Sequence, residues 1–358
     1  MTRPRILTGD TPTGRLHLGH LVGSLENRVR LQDDHECFFL IANVHAFTTR
    51  AERPDDIRRD TIEVVRDYLA VGIDPARSTL VLQSEIRAIP ELTFLLAMLL
   101  PFQRVMRNPT LKAELADKQL EQHSFGFPLY TVGQCADILA FRAELVPVGE
   151  DQAATIEMCR EVARRFEHVY GGSVFPIPEV LLGRVARLPG TDGVQKMSKS
   201  LGNAIFLSDT RAEIQRKMRG LYTGRQSATD PGDPDNALFQ YARAFIADPE
   251  RVRVLAERYA RGDDIGDGEI KAEVAEAIDA VLAPMRERRA AYDGPRGEAA
   301  IIELLREHAR RASAVADETL ARVKAAMRLD LDAAPATAER RSSEAHLPAP
   351  PSSALAPR

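Results

Sequence analysis

The chain has 358 residues, 44% of them hydrophobic, which is enough to bury the core of one large or two ordinary domains. Its 48 basic and 52 acidic residues give a net charge of −4, which excludes a general polycationic affinity for nucleic acid, so any RNA contact must be local. Its three cysteines form no Cys-x-x-Cys pattern, which argues against structural zinc and favours a reducing compartment.

Short apolar runs alternate with helical patterns from residue 1 to about residue 205. The four predicted strands have the sequences RILTG, CFFLIANV, STLVLQS and ELVPVG. This alternation is typical of a parallel α/β sheet, and it predicts a Rossmann-like domain over residues 1–205. Ligands of such sheets bind beyond the carboxyl ends of the strands, so polar residues that follow a strand are candidate site residues.

The segment after the first strand places two histidines at the start of a helix. A Gly/Pro turn, GDTPTG, leads into His17 and His20, which lie three residues apart and therefore on one side of the predicted helix. Free N–H groups and the positive end of the helix dipole attract anions there, and the imidazoles can donate to a phosphate. Gly19 would let a flat base approach the backbone. A solvated helix face or a partial metal site are the alternatives.

Two further elements follow before the middle of the chain. A crossover helix is predicted from Pro54 to Gly72, because acidic residues follow the proline and apolar residues recur on one face. The most apolar run, Leu92 to Leu100, has about half the length of a membrane span, and the N-terminus lacks a signal-peptide pattern. We therefore expect a cytoplasmic protein in which this run is either a buried helix or a subunit interface.

A polar face and a strand end mark a candidate side-chain pocket. Tyr130, Gln134 and Asp137 have the spacing of one helix face, and a polar face that points inward needs a ligand to satisfy it. A helix N-cap or a surface pair is the alternative interpretation of the last two residues. The fourth strand then carries the alternating residues Val146 and Val148. Gly149, Asp151 and Gln152 follow at its carboxyl end.

The segment LPGTDGVQKMSKSLGN is predicted to form a mobile loop that closes over a polyphosphate. Lys196 and Lys199 lie three residues apart, and glycines loosen the surrounding segment. Two ammonium groups would neutralise a departing pyrophosphate, and Ser198, Ser200 and the loop amides would add donors. A lysine-rich loop without such a role is the alternative. The sequence contains no Walker pattern, so γ-phosphate transfer of that kind is not indicated.

Helical spacing replaces the strand pattern after the loop. Five amphipathic segments predict an all-helical domain over residues 206–329, whose last helix can pack back on the first domain. Within it, Leu304 to Arg328 holds six Lys/Arg against three Asp/Glu, which indicates either a solvated face or a modest RNA-facing surface. Residues 330–358 are rich in Ala, Pro and Ser, and the composition predicts a disordered tail.

The strings His17-Leu18-Gly19-His20 and Lys196-Met197-Ser198-Lys199-Ser200 resemble the two signature motifs of class I aminoacyl-tRNA synthetases. The resemblance extends to about residue 330 and implies a nucleotide-binding domain followed by a helical anticodon-binding domain. It also implies that ATP, with Mg²⁺, activates an amino acid to an aminoacyl-adenylate, which is then passed to tRNA. His17, His20, Lys196, Ser198 and Lys199 would be the catalytic residues, and no metal would be bound by protein ligands.

The candidate pocket resembles that of the tryptophan-activating members of this class. The resemblance implies that Asp137 accepts the indole N–H, that Val146 and Val148 enclose the ring, and that Tyr130 and Gln152 hold the α-amino group. An acceptor left unpaired would reject phenylalanine by roughly 10⁴-fold or more. The implied tryptophan site also includes Leu7, Gly9, His45 and Gln134. The implied ATP site contains Thr8, Asp10, Thr13, Gly14, Gly19, Gly149, Asp151, Lys196, Met197 and Ser200.

One position departs from that pattern. Many of the tryptophan-activating enzymes have methionine where this chain has Gln134, and Tyr-x3-Gln-x2-Asp also resembles the tyrosine-activating enzymes. The strings HAFT, VPVGEDQ and KMSKS favour tryptophan, which predicts a tryptophan–tRNA ligase with tRNA(Trp), ATP and L-tryptophan as partners. Small nucleotidyltransferases and a non-catalytic synthetase paralogue are the remaining alternatives. The resemblance further implies a homodimer without a membrane partner.

Overall fold

A computed structural model of the chain describes residues 3–117, 123–149, 152–182 and 188–330. The predicted ATP-site residue Asp151 and the predicted tail beyond residue 330 lie outside the described residues. Within these ranges, no helix is both long enough and apolar enough to cross a bilayer. Cys37, Cys135 and Cys159 are buried free thiols.

A five-stranded parallel sheet forms the centre of the first half of the described chain. The strand order is β3-β2-β1-β4-β5, so the chain moves outward from β1 in one direction and later continues on its other side. The carboxyl ends of β1 and β4 therefore flank a topological switch point, where ligands of such sheets bind. The strands are β1 (Arg5–Asp10), β2 (Glu36–Ile41), β3 (Ser78–Leu82), β4 (Leu145–Val148) and β5 (Glu179–Leu182).

Four of these strands were predicted from the sequence, and β5 was not. This strand has only four residues and follows directly after Pro178, so it shows little of the alternation that identifies longer strands. Its position is set by pairing with β4, in the register Leu145 with Glu179. Tertiary pairing rather than local pattern therefore determines this strand.

The helices of the first half cover the sheet and lead from strand to strand. The predicted crossover helix is observed from Pro54 to Val71, and Gly72 ends it in the left-handed region with φ 107°. These helices are α1 (Leu18–His20), α2 (Glu26–Leu31), α3 (Phe47–Arg50), α4 (Pro54–Val71), α5 (Ala88–Ala97), α6 (Phe102–Met106), α7 (Pro109–Asp117), α8 (Gly126–Ala140) and α9 (Ala153–Tyr170). A π-helical turn, Leu21–Leu25, joins α1 to α2.

The described part of the chain beyond residue 205 is helical, as the sequence predicted. Its helices are α10 (Arg211–Arg219), α11 (Ala237–Phe245), α12 (Pro249–Arg261), α13 (Asp267–Ala290) and α14 (Gly294–Ala326). Apolar side chains of α10 to α13 join the core on one face of the sheet, which includes Leu16 and Leu18 beside the histidine turn. This helical segment therefore packs directly behind the start of α1.

The last helix, α14, returns to the sheet and covers its other face. Its residues Ala312, Ala316 and Val323 belong to the core that contains β3, α5 and α8. His308 is buried and its Nδ1 accepts a hydrogen bond of 2.8 Å from the backbone N–H of Leu80. Because β3 lies at the edge of the sheet, this imidazole satisfies a strand N–H that would otherwise lack a ladder partner.

The apolar run from Leu92 to Leu100 lies mainly on α5 and has two distinct faces. Leu92 and Leu96 are fully buried, whereas Phe94 and Met98 are 65% and 61% exposed. The buried-helix interpretation is therefore correct for one face. The other face presents large apolar side chains, and its role as a subunit interface stays a prediction.

Candidate active site

The histidine turn begins where β1 ends. Gly14 adopts φ 103°, which reverses the chain before His17 caps the short helix α1. Nδ1 of His17 accepts from the N–H of Gly19, and Nδ1 of His20 accepts from the N–H of His17, both at 3.2 Å. Each ring therefore carries its hydrogen on Nε2, because the acceptor nitrogen must be unprotonated in a neutral imidazole. A Cβ at Gly19 would meet the His17 ring at 3.0 Å, so this glycine makes room for the histidine itself.

Both imidazoles are neutral at pH 7. Burial, followed by the charges of His20 and the two motif lysines, lowers the pKa of His17 to about 2. Burial also lowers the pKa of His20 to about 4, and the opposing attraction of Asp10 does not offset it. The ring centroids are 3.9 Å apart. The pair thus presents two N–H donors rather than two cations.

An ion pair between Asp10 and Arg28 lies close to His20 and acts on it electrostatically. The carboxylate of Asp10 binds Arg28 at 2.7 Å and accepts a 2.6 Å hydrogen bond from the Tyr68 hydroxyl. Burial alone would raise the pKa of Asp10, but Arg28, His20 and Tyr68 together hold it below its usual range. Asp10 was predicted to lie in the ATP site. One of its oxygens is bound to Arg28 and Tyr68, and its place in the ATP site stays a prediction.

The lysine segment is shaped by Asn203. The side chain of Asn203 accepts from the N–H of Ser198 at 2.7 Å and donates to Asp192 and to the Lys196 carbonyl at 2.6 and 3.2 Å. Gly190 packs against this amide so closely that a Cβ would clash with it. Ser198 and Ser200 share a 2.9 Å hydrogen bond. This local network gives the segment a defined turn.

The histidine turn and the lysine segment lie side by side. The N–H of Leu18 donates to the carbonyl of Ile205 at 2.9 Å, and the N–H of Leu207 donates to the carbonyl of Leu16 at 3.0 Å. These bonds join the start of α1 to the residues directly after the lysine segment. Residues separated by almost 200 positions are thereby brought together near the carboxyl end of β1.

Lys199 reaches across this junction into the turn after β1. Its Nζ donates to the Gly14 carbonyl at 2.9 Å and to the Thr13 hydroxyl at 3.0 Å. Burial lowers the pKa of Lys199, and Asp10 opposes that shift. Met197 is buried close to Gly19, whereas Lys196 is exposed at the same surface. The predicted phosphate-site lysines and histidines are thus adjacent.

The candidate side-chain pocket is centred on Asp137 of α8. This carboxyl is 1% exposed, and both of its oxygens accept from Nε2 of Gln83 at 2.9 Å. Burial raises the pKa of Asp137 to about 7, although the Gln83 hydrogen bonds act in the opposite direction. His45 lies next to it, with Nδ1 3.7 Å from a carboxylate oxygen, and burial lowers its pKa to about 4. A Cβ at Gly133 would lie 2.7 Å from the His45 ring, so this glycine provides its space.

The remaining polar residues of the pocket lie on the same helix face and at the end of β4. Gln134 donates to the Gln152 side chain at 3.3 Å. The ring of Tyr130 lies 5.9 Å from the His45 ring, and burial followed by the nearby Glu114 raises the pKa of its hydroxyl. The structure therefore brings together the predicted polar face of α8, His45 and Gln152.

Residues of β1 and β4 line the adjoining part of the sheet. Leu7 and Val146 are buried in the core beneath α8, and Val148 packs against that core. Gly9 lies against the carbonyl of Leu40, so that a Cβ would clash with the backbone. The Thr8 hydroxyl donates to the carbonyl of Pro147 at 2.5 Å and so joins β1 to β4 near their carboxyl ends. The half-buried Gly149 follows β4 directly.

Sequence analysis did not identify Gln83, Arg28 or Tyr68. Gln83 directly follows the STLVL strand, so the rule that polar residues after a strand contribute to a site would have selected it. Arg28 and Tyr68 lie inside helices, and a helical arginine or tyrosine gives no local signal of an ion pair with a strand end. Their role follows only from tertiary contacts over 18 and 58 positions.

Among the residues that the structure describes, protein ligands for a metal are not grouped at this site. The described residues contain no cluster of three or more His, Cys, Asp or Glu side chains that could hold a metal ion. The His17, His20, Lys196 and Lys199 side chains offer nitrogen atoms, whereas Mg²⁺ prefers oxygen ligands.

Known proteins resemble this chain in both sequence and fold. The family model described as tRNA synthetases class I (W and Y) matches residues 1–283. The tryptophan–tRNA ligase of Treponema pallidum is 46% identical over 334 residues, which cover 91% of this chain and 97% of that protein. The tryptophan–tRNA ligase of Clostridium longisporum is 44% identical over 332 residues, with coverage of 90% and 96%.

A solved structure agrees with these matches. Tryptophanyl-tRNA synthetase from Campylobacter jejuni, complexed with ADP and tryptophan, superimposes with a TM-score of 0.78 at 30% sequence identity. The match covers 90% of this chain and 99% of that chain. The parallel sheet and the adjacent histidine and lysine segments thus define a nucleotide-binding protein of the class I synthetase type. The chain belongs to the class I tRNA synthetase family that comprises the W and Y enzymes.

Proposed function

We propose that this chain is a tryptophan–tRNA ligase, which activates L-tryptophan with ATP and transfers the product to tRNA(Trp). The observation that carries the proposal is that Lys199 lies next to the histidine pair at the topological switch point of the sheet. The same sheet carries a pocket that contains the buried carboxylate of Asp137. The relatives that match at 46% and 44% identity are tryptophan–tRNA ligases, which favours tryptophan over the tyrosine alternative.

In the first step, the carboxylate of tryptophan attacks the α-phosphorus of ATP, and the bond to pyrophosphate breaks. Nε2–H of His17 and of His20 would donate to the phosphate oxygens, because each Nδ1 is already used as an acceptor. Lys199 would exchange its contacts with Thr13 and Gly14 for the leaving pyrophosphate. Lys196, Ser198 and Ser200 would add cationic and hydroxyl donors from the same segment.

The amino-acid pocket would select the substrate through its donor and acceptor groups. Asp137 would accept the indole N–H, which is a donor only, while Leu7, Gly9, Val146 and Val148 would enclose the ring. Tyr130 and Gln152 would hold the α-amino group, and His45 would border the substrate beside Asp137. Gln134 would shape the same face, where its amide is already directed at Gln152.

The nucleotide would lie along the carboxyl ends of β1 and β4. Thr8, Thr13, Gly14, Gly19, Met197 and Gly149 border this region, and Asp151 is assigned to the ribose side by resemblance alone. Asp10 would act through Arg28 and His20. Mg²⁺ would enter bound to the ATP phosphates, as part of the substrate.

Pyrophosphate exchange with individual amino acids tests this function. L-Tryptophan should support exchange, whereas tyrosine and phenylalanine should not. Lys199→Ala and His20→Ala should each lower kcat by about 10²–10³-fold, because one electrostatic donor to the transition state is lost, while tryptophan affinity changes little. Exchange with tyrosine alone would overturn the pocket assignment, and binding without any exchange would indicate a non-catalytic paralogue.

The remaining partners follow from the same proposal. In a cytoplasmic ligase, tRNA(Trp) would contact the helical segment over residues 206–329, and the exposed face of α5 would join two copies into a homodimer. Phe94 and Met98 are the large apolar side chains that such an interface would bury. On α14, Arg322 and Lys324 already pair with Glu318 and Glu91, which favours a solvated face there.

A further inference from the structure

We infer that Gln83 is the positioning residue that makes Asp137 a pure hydrogen-bond acceptor for the substrate side chain. This inference rests on the proposed function, because it concerns how the same pocket selects an indole N–H. Gln83 lies at the carboxyl end of β3, whereas Asp137 lies on α8, 54 positions later. The side-chain amide of Gln83 thus links the end of β3 to α8.

The backbone fixes the orientation of the Gln83 amide. Its Oε1 accepts from the N–H of Val44 at 3.1 Å and from the N–H of His45 at 3.2 Å. Two backbone donors require an oxygen at this position, so the amide cannot rotate by 180° without losing both bonds. Gln83 is buried, which increases the cost of leaving these groups unpaired. The amide nitrogen must therefore face Asp137.

The fixed NH₂ group favours one protonation state of Asp137. It lies 2.9 Å from both carboxylate oxygens, and it lies 3.1 Å from Nε2 of His45. A donor shared by two oxygens matches a carboxylate, whereas a protonated carboxyl would direct a hydrogen of its own into the pocket. The carboxylate keeps lone pairs for a substrate donor. Gln83 thereby opposes the effect of burial, which favours the neutral acid.

The other groups near Asp137 do not replace this function. From the segment between β2 and α3, His45 faces the carboxylate as a neutral imidazole. On α8 itself, Gln134 lies one turn and Tyr130 two turns before Asp137 on the same face. A neutral imidazole supplies at most one weak donor at 3.7 Å. Removal of the Gln83 amide should therefore favour protonation of Asp137.

Direct binding measurements are possible because the chain contains no tryptophan. The fluorescence of added L-tryptophan can be titrated with protein between about pH 6 and about pH 9 without a protein tryptophan signal. In the wild type, affinity should rise as the pH increases through about 7 and level off above it, because the ionised form of Asp137 binds the indole N–H. Asp137→Asn should bind weakly and show a flat pH profile in this range.

Gln83→Met keeps the approximate length of the side chain and removes the amide. We expect tryptophan affinity to fall about tenfold or more at pH 7, since one charge-stabilising hydrogen bond is lost. The rise in affinity should move to higher pH, so that much of the loss is recovered near pH 9. Gln83→Glu keeps the acceptor but replaces the donor with a second acid, and it should show the same upward shift.

Ser84→Ala is the matched control at the same strand end. Ser84 exchanges hydrogen bonds with Asn43 and lies outside hydrogen-bond distance of Asp137, so the variant should keep the wild-type pH profile. Circular dichroism and thermal unfolding would establish that each variant is folded. If the Gln83 variants lose affinity equally at every pH, or lose none, the inference is wrong. If the wild type itself neither binds tryptophan nor supports exchange, the proposed function fails instead.

Discussion

The two histidines of the turn after β1 have a structural role in addition to their proposed chemical one. Each uses Nδ1 to satisfy a backbone N–H at the start of α1, where the first N–H groups of a helix lack partners. The same hydrogen bonds leave Nε2–H as the free donor of each ring. One residue pair thus serves both the local fold and the proposed chemistry, and the two roles can be separated experimentally.

Asparagine at position 17 should separate them. His17→Asn retains a good N-cap acceptor but lacks a donor at the position of Nε2. We expect the free energy of unfolding to stay within about 0.5 kcal/mol of the wild type, whereas His17→Ala should cost about 1 kcal/mol. Both variants should lower kcat for pyrophosphate exchange by about 10²-fold or more. Denaturant unfolding and exchange assays provide the two readouts, and near-normal exchange in His17→Asn would contradict the donor role.

At the level of elements, an ion pair connects the helical segment to the histidine turn. Asp67 of α4 is fully buried and accepts from the N–H of Leu16 at 2.7 Å and from Arg289 of α13 at 2.9 Å. Arg289 also pairs with Glu63. The Asp67 carboxylate thus binds both Leu16, the residue before His17, and Arg289 of α13. The orientation of the turn therefore depends on how α13 is placed.

Arg289→Gln tests this connection. The substitution leaves Asp67 buried without its cation, so we expect the free energy of unfolding to fall by about 3 kcal/mol, as measured by denaturant unfolding. Because Asp67 also orients Leu16, kcat for exchange should fall as well. In Asp67→Asn with Arg289→Gln the combined loss should be smaller than the sum of the single losses. Arg211→Gln, which removes an exposed partner of Glu276, should leave the free energy of unfolding nearly unchanged, because exposed ion pairs contribute little. Strict additivity would argue against the coupling.

Sequence patterns predicted some elements and contacts better than others. The crossover helix α4 was predicted accurately because proline, periodicity and Gly72 agree, while β5 was missed because four residues carry too little pattern. The π-helical turn after α1 was also not predicted, since it preserves helical apolar spacing. That the histidine turn and the lysine segment lie together was expected from their resemblance to the two signature motifs of class I synthetases. Gln83 was missed because its importance depends on a contact with a distant helix.

At the level of the whole molecule, α14 closes the fold. It begins after the helices that contact the histidine turn and ends on the face of the sheet that carries the amino-acid pocket. Its His308 caps the N–H of Leu80 on β3, and β3 ends directly before Gln83. The final helix therefore supports the strand that positions the proposed acceptor.

His308→Leu should weaken this closure. The N–H of Leu80 would stay buried without a partner, so we expect a loss of about 1–3 kcal/mol in the free energy of unfolding. Hydrogen exchange should locate the effect, with faster exchange at the Leu80 amide than at the central strand β1. Arg310→Ala, an exposed change on the same helix, should stay within about 0.5 kcal/mol. Unchanged protection at Leu80 would show that the imidazole does not stabilise the strand edge.

The return of α14 has a consequence for how the protein is made. The ribosome releases β1 to β5 long before it releases Ala312, Ala316 and Val323, which complete one face of the sheet. During this interval the nascent chain exposes apolar surface, and full assembly must wait until translation is nearly finished. A fragment ending at residue 283, where the family match stops, would lack this cover permanently and should aggregate when expressed.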